Sequence, residues 1–144
     1  MGKRIKGRKR HILVDTLGLL LGVHVTPAST TERDGAQGLL SQVLGWFTWL
    51  RLLWVDGGYQ GDAFAKWVKG VRPNLSVEVV KRSDGVTGFK LLPRRWVVER
   101  TFGWLVKARR LTRDHERNPR HHEALVYMAM IGHSARHLTA HPTF

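Results

Sequence analysis

The 144 residues fit a single domain, residues 1–144, that is long enough to bury a core. Lys and Arg number 24 against 11 Asp and Glu, and the resulting charge of +13 points to a polyanionic partner, with nucleic acid first. The absence of cysteine excludes disulfides, thiolate zinc sites and cysteine nucleophiles, and a hydrophobic content of 42% argues against disorder.

Residues 3–10 carry six positive charges, on Lys3, Arg4, Lys6, Arg8, Lys9 and Arg10. Such a run suits phosphate contact, which positions a protein on DNA without reading base sequence. The basic start and the apolar residues that follow mimic a secretion signal, but Asp15 and His24 interrupt them and Gly18 falls where a turn would. The pattern instead predicts a hairpin of two strands, 11–16 and 20–26. Lys6 occupies the position where a myristoylation motif needs Ser or Thr, and no apolar run reaches the length of a membrane span. A cytoplasmic protein with no membrane partner is expected.

Asp34 reads as a capping or first-turn acid of a helix running to Trp49, with Trp46 and Trp49 expected to pack. Leu52 to Val55 is an unbroken apolar run that predicts a strand covered on both faces. It ends at Asp56, and the glycine pair Gly57-Gly58 turns the chain away sharply. Asp56 therefore falls at the carboxyl end of a central strand, where open α/β sheets collect ligands. It can serve there as a ligand for a divalent cation or as a turn-capping aspartate. A helix over 62–69 turns Phe64, Trp67 and Val68 inward, a strand follows over 76–81, and 83–88 form a loop.

Pro93 starts a helix to Arg110, in the first-turn position proline favours. Val98, Phe102 and Leu105 make its packing seam, beside a stripe of Arg95, Glu99, Gly103, Lys107 and Arg110. Glu99 suits either an ion pair with Arg95 or a metal-ligand role. Asn118-Pro119 launches the last helix, through Leu138, whose stretch Ala124 to Ile131 is expected to be buried. His133 and His137 share a helix face but lack the glutamate of a zinc hydrolase motif. Asp84, Asp114, Glu116 and Glu123 read as solvated charge pairs. The order β-β-α-β-α-β-α-α predicts one mixed α/β layer.

Arg94-Arg95-Trp96-Val97-Val98-Glu99-Arg100-Thr101-Phe102-Gly103-Trp104-Leu105 resembles the C-terminal signature of bacterial insertion-sequence transposases of the DDE class. The resemblance extends to Lys6 through Gly18, to Val55 through Tyr59 and to Arg109 through Glu116, in family order over nearly the whole chain. It implies an RNase H-like mixed sheet flanked by helices and a phosphoryl-transfer site of three carboxylates holding two Mg²⁺ or Mn²⁺ ions. Its second Asp falls on Asp56, its Glu on Glu99, and its Arg four residues earlier on Arg95. Asp56 and Glu99 would be metal ligands, while Lys3, Arg4, Lys6, Arg8, Lys9, Arg10, Lys107, Arg109 and Arg110 would hold DNA. The implied activity is cleavage at insertion-sequence ends followed by strand transfer to target DNA.

Two departures from the family pattern bear on these expectations. The first family Asp belongs on a strand upstream of the basic block, so the resemblance implies that this first strand is missing here. Asp15 belongs to the following hairpin and is expected to be structural. The family Tyr and Lys fall on Leu92 and Val106, with Lys107 one place late, so neither role transfers. The expected partners are DNA and either an upstream transposase half or a second copy. The alternative is a noncatalytic basic DNA-binding remnant that competes with the full-length enzyme.

Overall fold

The first two apolar runs form an antiparallel hairpin, β1 (Arg8–Val14) and β2 (Leu20–Pro27). The computed structural model describes residues 7–80 and 93–140, with side chains from Trp96 onward in the second stretch. The 83–88 loop, Asp84 and Leu92 lie outside the described residues. Asp15 organises the turn, its Oδ1 accepting the amides of Leu17 at 2.9 Å and Leu19 at 2.8 Å. Gly18 has φ 85°, and a Cβ there would lie 2.9 Å from Thr101 Oγ1, so conformation and neighbour both demand glycine.

Helix α1 (Glu32–Val43) is capped by Thr31, whose hydroxyl accepts the Asp34 amide at 3.1 Å. Asp34 is thus a first-turn acid. The helix stops well short of Trp49, and Arg72 supplies donors to the freed carbonyls of Leu44 and Phe47. Trp46 and Trp49, expected to pack, are 82% and 60% exposed because the shortened helix leaves them in the outer turn.

Strand β3 (Leu52–Val55) leads through a short 3₁₀ turn, Gly57–Tyr59, into α2 (Asp62–Val71) and then β4 (Ser76–Val79), which pairs with β3 in parallel. Phe64 and Val68 are buried as their spacing predicts. Helix α3 (Pro93–Val106) ends before Arg110, and a second 3₁₀ turn, Arg109–Leu111, precedes α4 (Pro119–Ala140). The α/β class and the expected element order hold. The described strands, however, make two separate two-stranded sheets instead of one mixed sheet.

The hairpin is covered on both faces. Leu13 joins Leu39, Leu40, Val43, Phe64 and Leu75 in one core, while Val23 and Val25 join Leu105, Leu111, Val126 and Met130 in another. Burial on α4 follows His122, Val126 and Met130, one stripe at helical spacing. The expected burial of Ala124 to Ile131 is therefore too broad, since Met128 and Ile131 are 66% and 68% exposed. A helix lying on one side of a two-stranded hairpin can cover only one of its faces.

Glu123 differs from the solvated role expected of it. Its Oε1 accepts the Val25 amide at 2.8 Å, and the Tyr127 hydroxyl accepts the Val23 amide at 3.2 Å, which satisfies the outer edge of β2. Asp114 is structural too, 3.0 Å from Arg8 Nη1 and 3.0 Å from Nδ1 of the buried His122. Burial works against the Asp114 carboxylate, but the Glu116 amide, His122 and Arg8 together hold its pKa below the ordinary value.

Two stability predictions follow from these contacts. A Cβ on Gly35 would lie 2.1 Å from His11 Nε2, so Gly35→Ala should cost about 1–3 kcal/mol in denaturant unfolding. Asp114→Asn should cost about 1–3 kcal/mol at neutral pH. Because folding lowers the Asp114 pKa, its contribution is complete above the unfolded carboxylate value and fades as pH falls through the folded one. The variant's deficit, measured by thermal melting, should accordingly shrink in acid.

Candidate active site

Strand β3 delivers Asp56 to its carboxyl end, where the residue caps the 3₁₀ turn and its Oδ1 accepts the Gly58 amide at 2.9 Å. The capping role therefore operates, and the other carboxylate oxygen and the remaining lone pairs can still meet a ligand. Helix α3 carries Glu99. This helix is fastened to the hairpin turn by Thr101, whose hydroxyl donates to the Gly18 carbonyl at 2.7 Å, and by Arg100, which donates to the Leu17 carbonyl at 2.5 Å. The Arg100 guanidinium is also held between the rings of Trp96 and Trp104, at 4.5 and 4.9 Å.

Asp56 and Glu99 are both exposed and line the same cleft, about 330 Å³ in volume. Arg10, His11 and Glu32 share that lining. Arg95 lies in α3 four residues before Glu99, with its side chain outside the described residues.

His11 and Glu32 had no signal in the sequence that would place them here. Glu32 belongs to no motif in the sequence, and only the packing of α1 on β1 brings it to the cleft. Its carboxylate lies 3.0 Å from Lys9 Nζ and 3.8 Å from His11 Nδ1. The buried His11 ring also meets Thr26 Oγ1 at 2.9 Å through Nε2. Burial lowers the His11 pKa despite the opposing pull of Glu32, and so favours the neutral ring.

The basic candidates divide into three groups. Lys3, Arg4 and Lys6 lie outside the described residues. Arg8, Lys9 and Arg10 belong to the hairpin and use donors internally: Arg8 on Asp114 and the Glu116 and Arg117 carbonyls, Lys9 on the Thr30 carbonyl, Arg10 on the Leu111 carbonyl. Lys107, Arg109 and Arg110 are exposed beyond α3, with Arg110 paired to Glu116 at 2.8 Å. His133 stacks on Trp104 with ring centroids 4.2 Å apart, and His137 lies a further 6.4 Å along.

Asp56 and Glu99 offer hard carboxylate oxygens suited to a divalent cation such as Mg²⁺ or Mn²⁺. Among the described residues, no group of three or more His, Cys, Asp or Glu is close enough to hold a metal ion. The pair thus fits part of a metal site and is not a complete ligand set.

Tyr59 reports on this pair's surroundings. Its hydroxyl donates to the Glu32 carbonyl at 3.2 Å. Burial first, then the Glu32 and Asp56 charges, raise its pKa to about 12. In an ultraviolet titration of the phenols, Tyr59→Phe should remove the component near pH 12, and Asp56→Asn should move that component downward.

No helix among the described residues is long and apolar enough to cross a membrane. No curated protein and no solved structure matches the chain. One family model, described as Transposase DDE domain, matches residues 1–133. Proteins of that family act on DNA in transposition and use divalent metal ions. With the match running over most of the sequence and both expected carboxylates on one cleft, this chain belongs to the DDE transposases.

Proposed function

We propose that the chain provides the Asp56 and Glu99 portion of an RNase H-like transposase site that cuts DNA at insertion-sequence ends and transfers the freed 3′-hydroxyl to target DNA. The observation that carries this reading is the cleft shared by two carboxylates from separate elements, one at a strand end and one on a helix. Asp56 and Glu99 would hold Mg²⁺ or Mn²⁺, and Arg95, four residues before Glu99, would position it or grip phosphate. When bound, two such ions stabilise the attacking and leaving oxygens of an in-line displacement. Lys107, Arg109 and Arg110, with the basic segment from Lys3 to Arg10, would hold the DNA backbone. The polypeptide partner in this reading is an upstream transposase half or a second copy of the chain.

The test is nicking of supercoiled plasmid in Mn²⁺ by the full chain and its variants. Asp56→Ala or Glu99→Ala should lower nicking by about a thousandfold while DNA binding is retained. Nicking that survives in both variants would refute the assignment. A second reading, a noncatalytic DNA-binding remnant that competes with full-length transposase, is favoured by the incomplete ligand group among the described residues. Under that reading the chain binds DNA with steep salt dependence and never nicks, and neutralising Lys3 to Arg10 removes the binding.

A further inference from the structure

The turn that follows α1 sorts its side chains by face. Phe47 and Leu50 pack against the core that includes Leu44, Val68 and Leu75, whereas Trp46 and Trp49 remain 82% and 60% exposed. The backbone of this turn is well tied. The Trp46 and Phe47 amides donate to the Val43 carbonyl at 3.0 and 3.3 Å, and the Leu50 amide donates to the Phe47 carbonyl at 3.2 Å. Arg72 reaches across from the end of α2 to the Leu44 and Phe47 carbonyls. The two indoles are therefore held outward by ordered chain.

Other indoles of the protein serve the fold. Trp54 donates to the Glu78 carboxylate at 2.9 Å, Trp67 stacks on Phe64 with ring centroids 6.2 Å apart, and Trp96 and Trp104 flank Arg100. Trp49 touches Phe47 edge-on at 5.9 Å and presents the rest of its ring to solvent. Exposed aromatic area of this kind marks a contact surface.

The charge around the rings has one sign. The Ser76 amide donates to the Arg51 carbonyl at 2.9 Å, which sets the turn beside the segment leaving α2. Arg51 and Lys69 are exposed and Arg72 is half-buried at this end of the sheet, and residues 43–55 and 63–77 contain no Asp or Glu. Arg51 and Arg72 spend donors on carbonyls, which leaves their charge in place. An apolar protein partner would cover the rings and strip water from these cations without offering them a counter-charge. Single-stranded nucleic acid satisfies both, because each nucleotide brings one phosphate and one free π face. Paired bases in a duplex are already stacked on one another and leave the rings unmatched.

We propose that Trp46 and Trp49, with Arg51 and Lys69, form a binding surface for single-stranded DNA, in which the indoles stack on unpaired bases and the cations meet phosphates. Leu52 opens β3 at this end and Asp56 follows its other end, so about 13 Å of strand separates the surface from the carboxylates. The surface accordingly holds a strand away from the place of cutting. It reads no sequence, since every base has a π face. This inference goes beyond the metal-site reading and does not depend on it.

The test is fluorescence anisotropy of the full chain with a labelled oligothymidylate of about 12 nucleotides, and with an abasic strand of the same length, in about 0.2 M salt. The native chain should bind oligothymidylate about tenfold or more tightly than the abasic strand, and its tryptophan emission should be quenched by the former. Trp46→Ala combined with Trp49→Ala should remove the preference and the quenching while affinity for the abasic strand is retained. Phenylalanine at both positions should restore the preference. Lys69→Gln should weaken binding of both strands and lower the salt slope by about 0.7. Because both rings are exposed, the alanine variants should melt as the native chain does. If the double variant does not fold, Trp46→Ala alone decides. Equal affinity for the two strands, or a preference that survives the alanine substitutions, would overturn the proposal. So would quenching by phosphatidylglycerol vesicles but not by the oligonucleotide, which would assign the rings to a membrane surface. Loss of a dimer in the alanine variant with oligonucleotide binding unchanged would assign them to a second copy and overturn it too. A preference for bases that depends on the two rings, found without Mn²⁺-dependent nicking, would leave this surface standing and count against the metal reading alone.

Discussion

The fold depends on one constraint, that a two-stranded hairpin must be covered on both faces and satisfied along its outer edge. Helix α1 covers one face by a close approach that only a glycine at position 35 permits against His11. Helix α4 covers the other with His122, Val126 and Met130, and it also sends Glu123 and Tyr127 to the outer amides of β2. The hairpin turn anchors α3 through Gly18 and Thr101. Each helix that frames the cleft therefore takes its place from the hairpin.

That arrangement fixes what the site can do. Asp56 is placed by a short strand and a capped turn and Glu99 by a helix tied to a different sheet, and both line the cleft that the two sheets border. Carboxylates on separate elements can be brought together or held apart by small changes between those elements, whereas two on one helix could not. Burial lowers the pKa of His11 in the cleft lining and so disfavours a competing positive charge there, while Lys9 and Glu32 form an ion pair at 3.0 Å.

Several features were legible in the residues themselves. Leu52 to Val55 and the glycines after Asp56 specify a strand and an abrupt exit, and Asp15 with Gly18 specifies a turn, because these depend on chain-local conformation. The expected cover on both faces is not reached, since Leu52 is exposed and the other three residues are only half-buried. Helix ends and burial widths were less legible. Trp46 and Trp49 follow an apolar helical pattern, but Arg72 captures the carbonyls after Leu44, and that competitor comes from a distant part of the sequence. The apolar stretch of α4 likewise gave no sign that only one of its stripes would find a partner. Asp114 was read as part of a solvated charge pair, whereas it packs against Arg8 and the buried His122 across the fold.

The sequence by itself determined the element order, the strand-end position of Asp56 and, through ordered motifs, membership of the DDE transposases. Tertiary structure alone decided that Glu32 and His11 join the two carboxylates on one cleft and that the strands divide into two sheets with a gap between them. The physical reason is range. Turn chemistry and hydrophobic period act over a few residues and are written in the local sequence. Which edges face each other, and what fits between them, depends on helices packed from opposite ends of the chain.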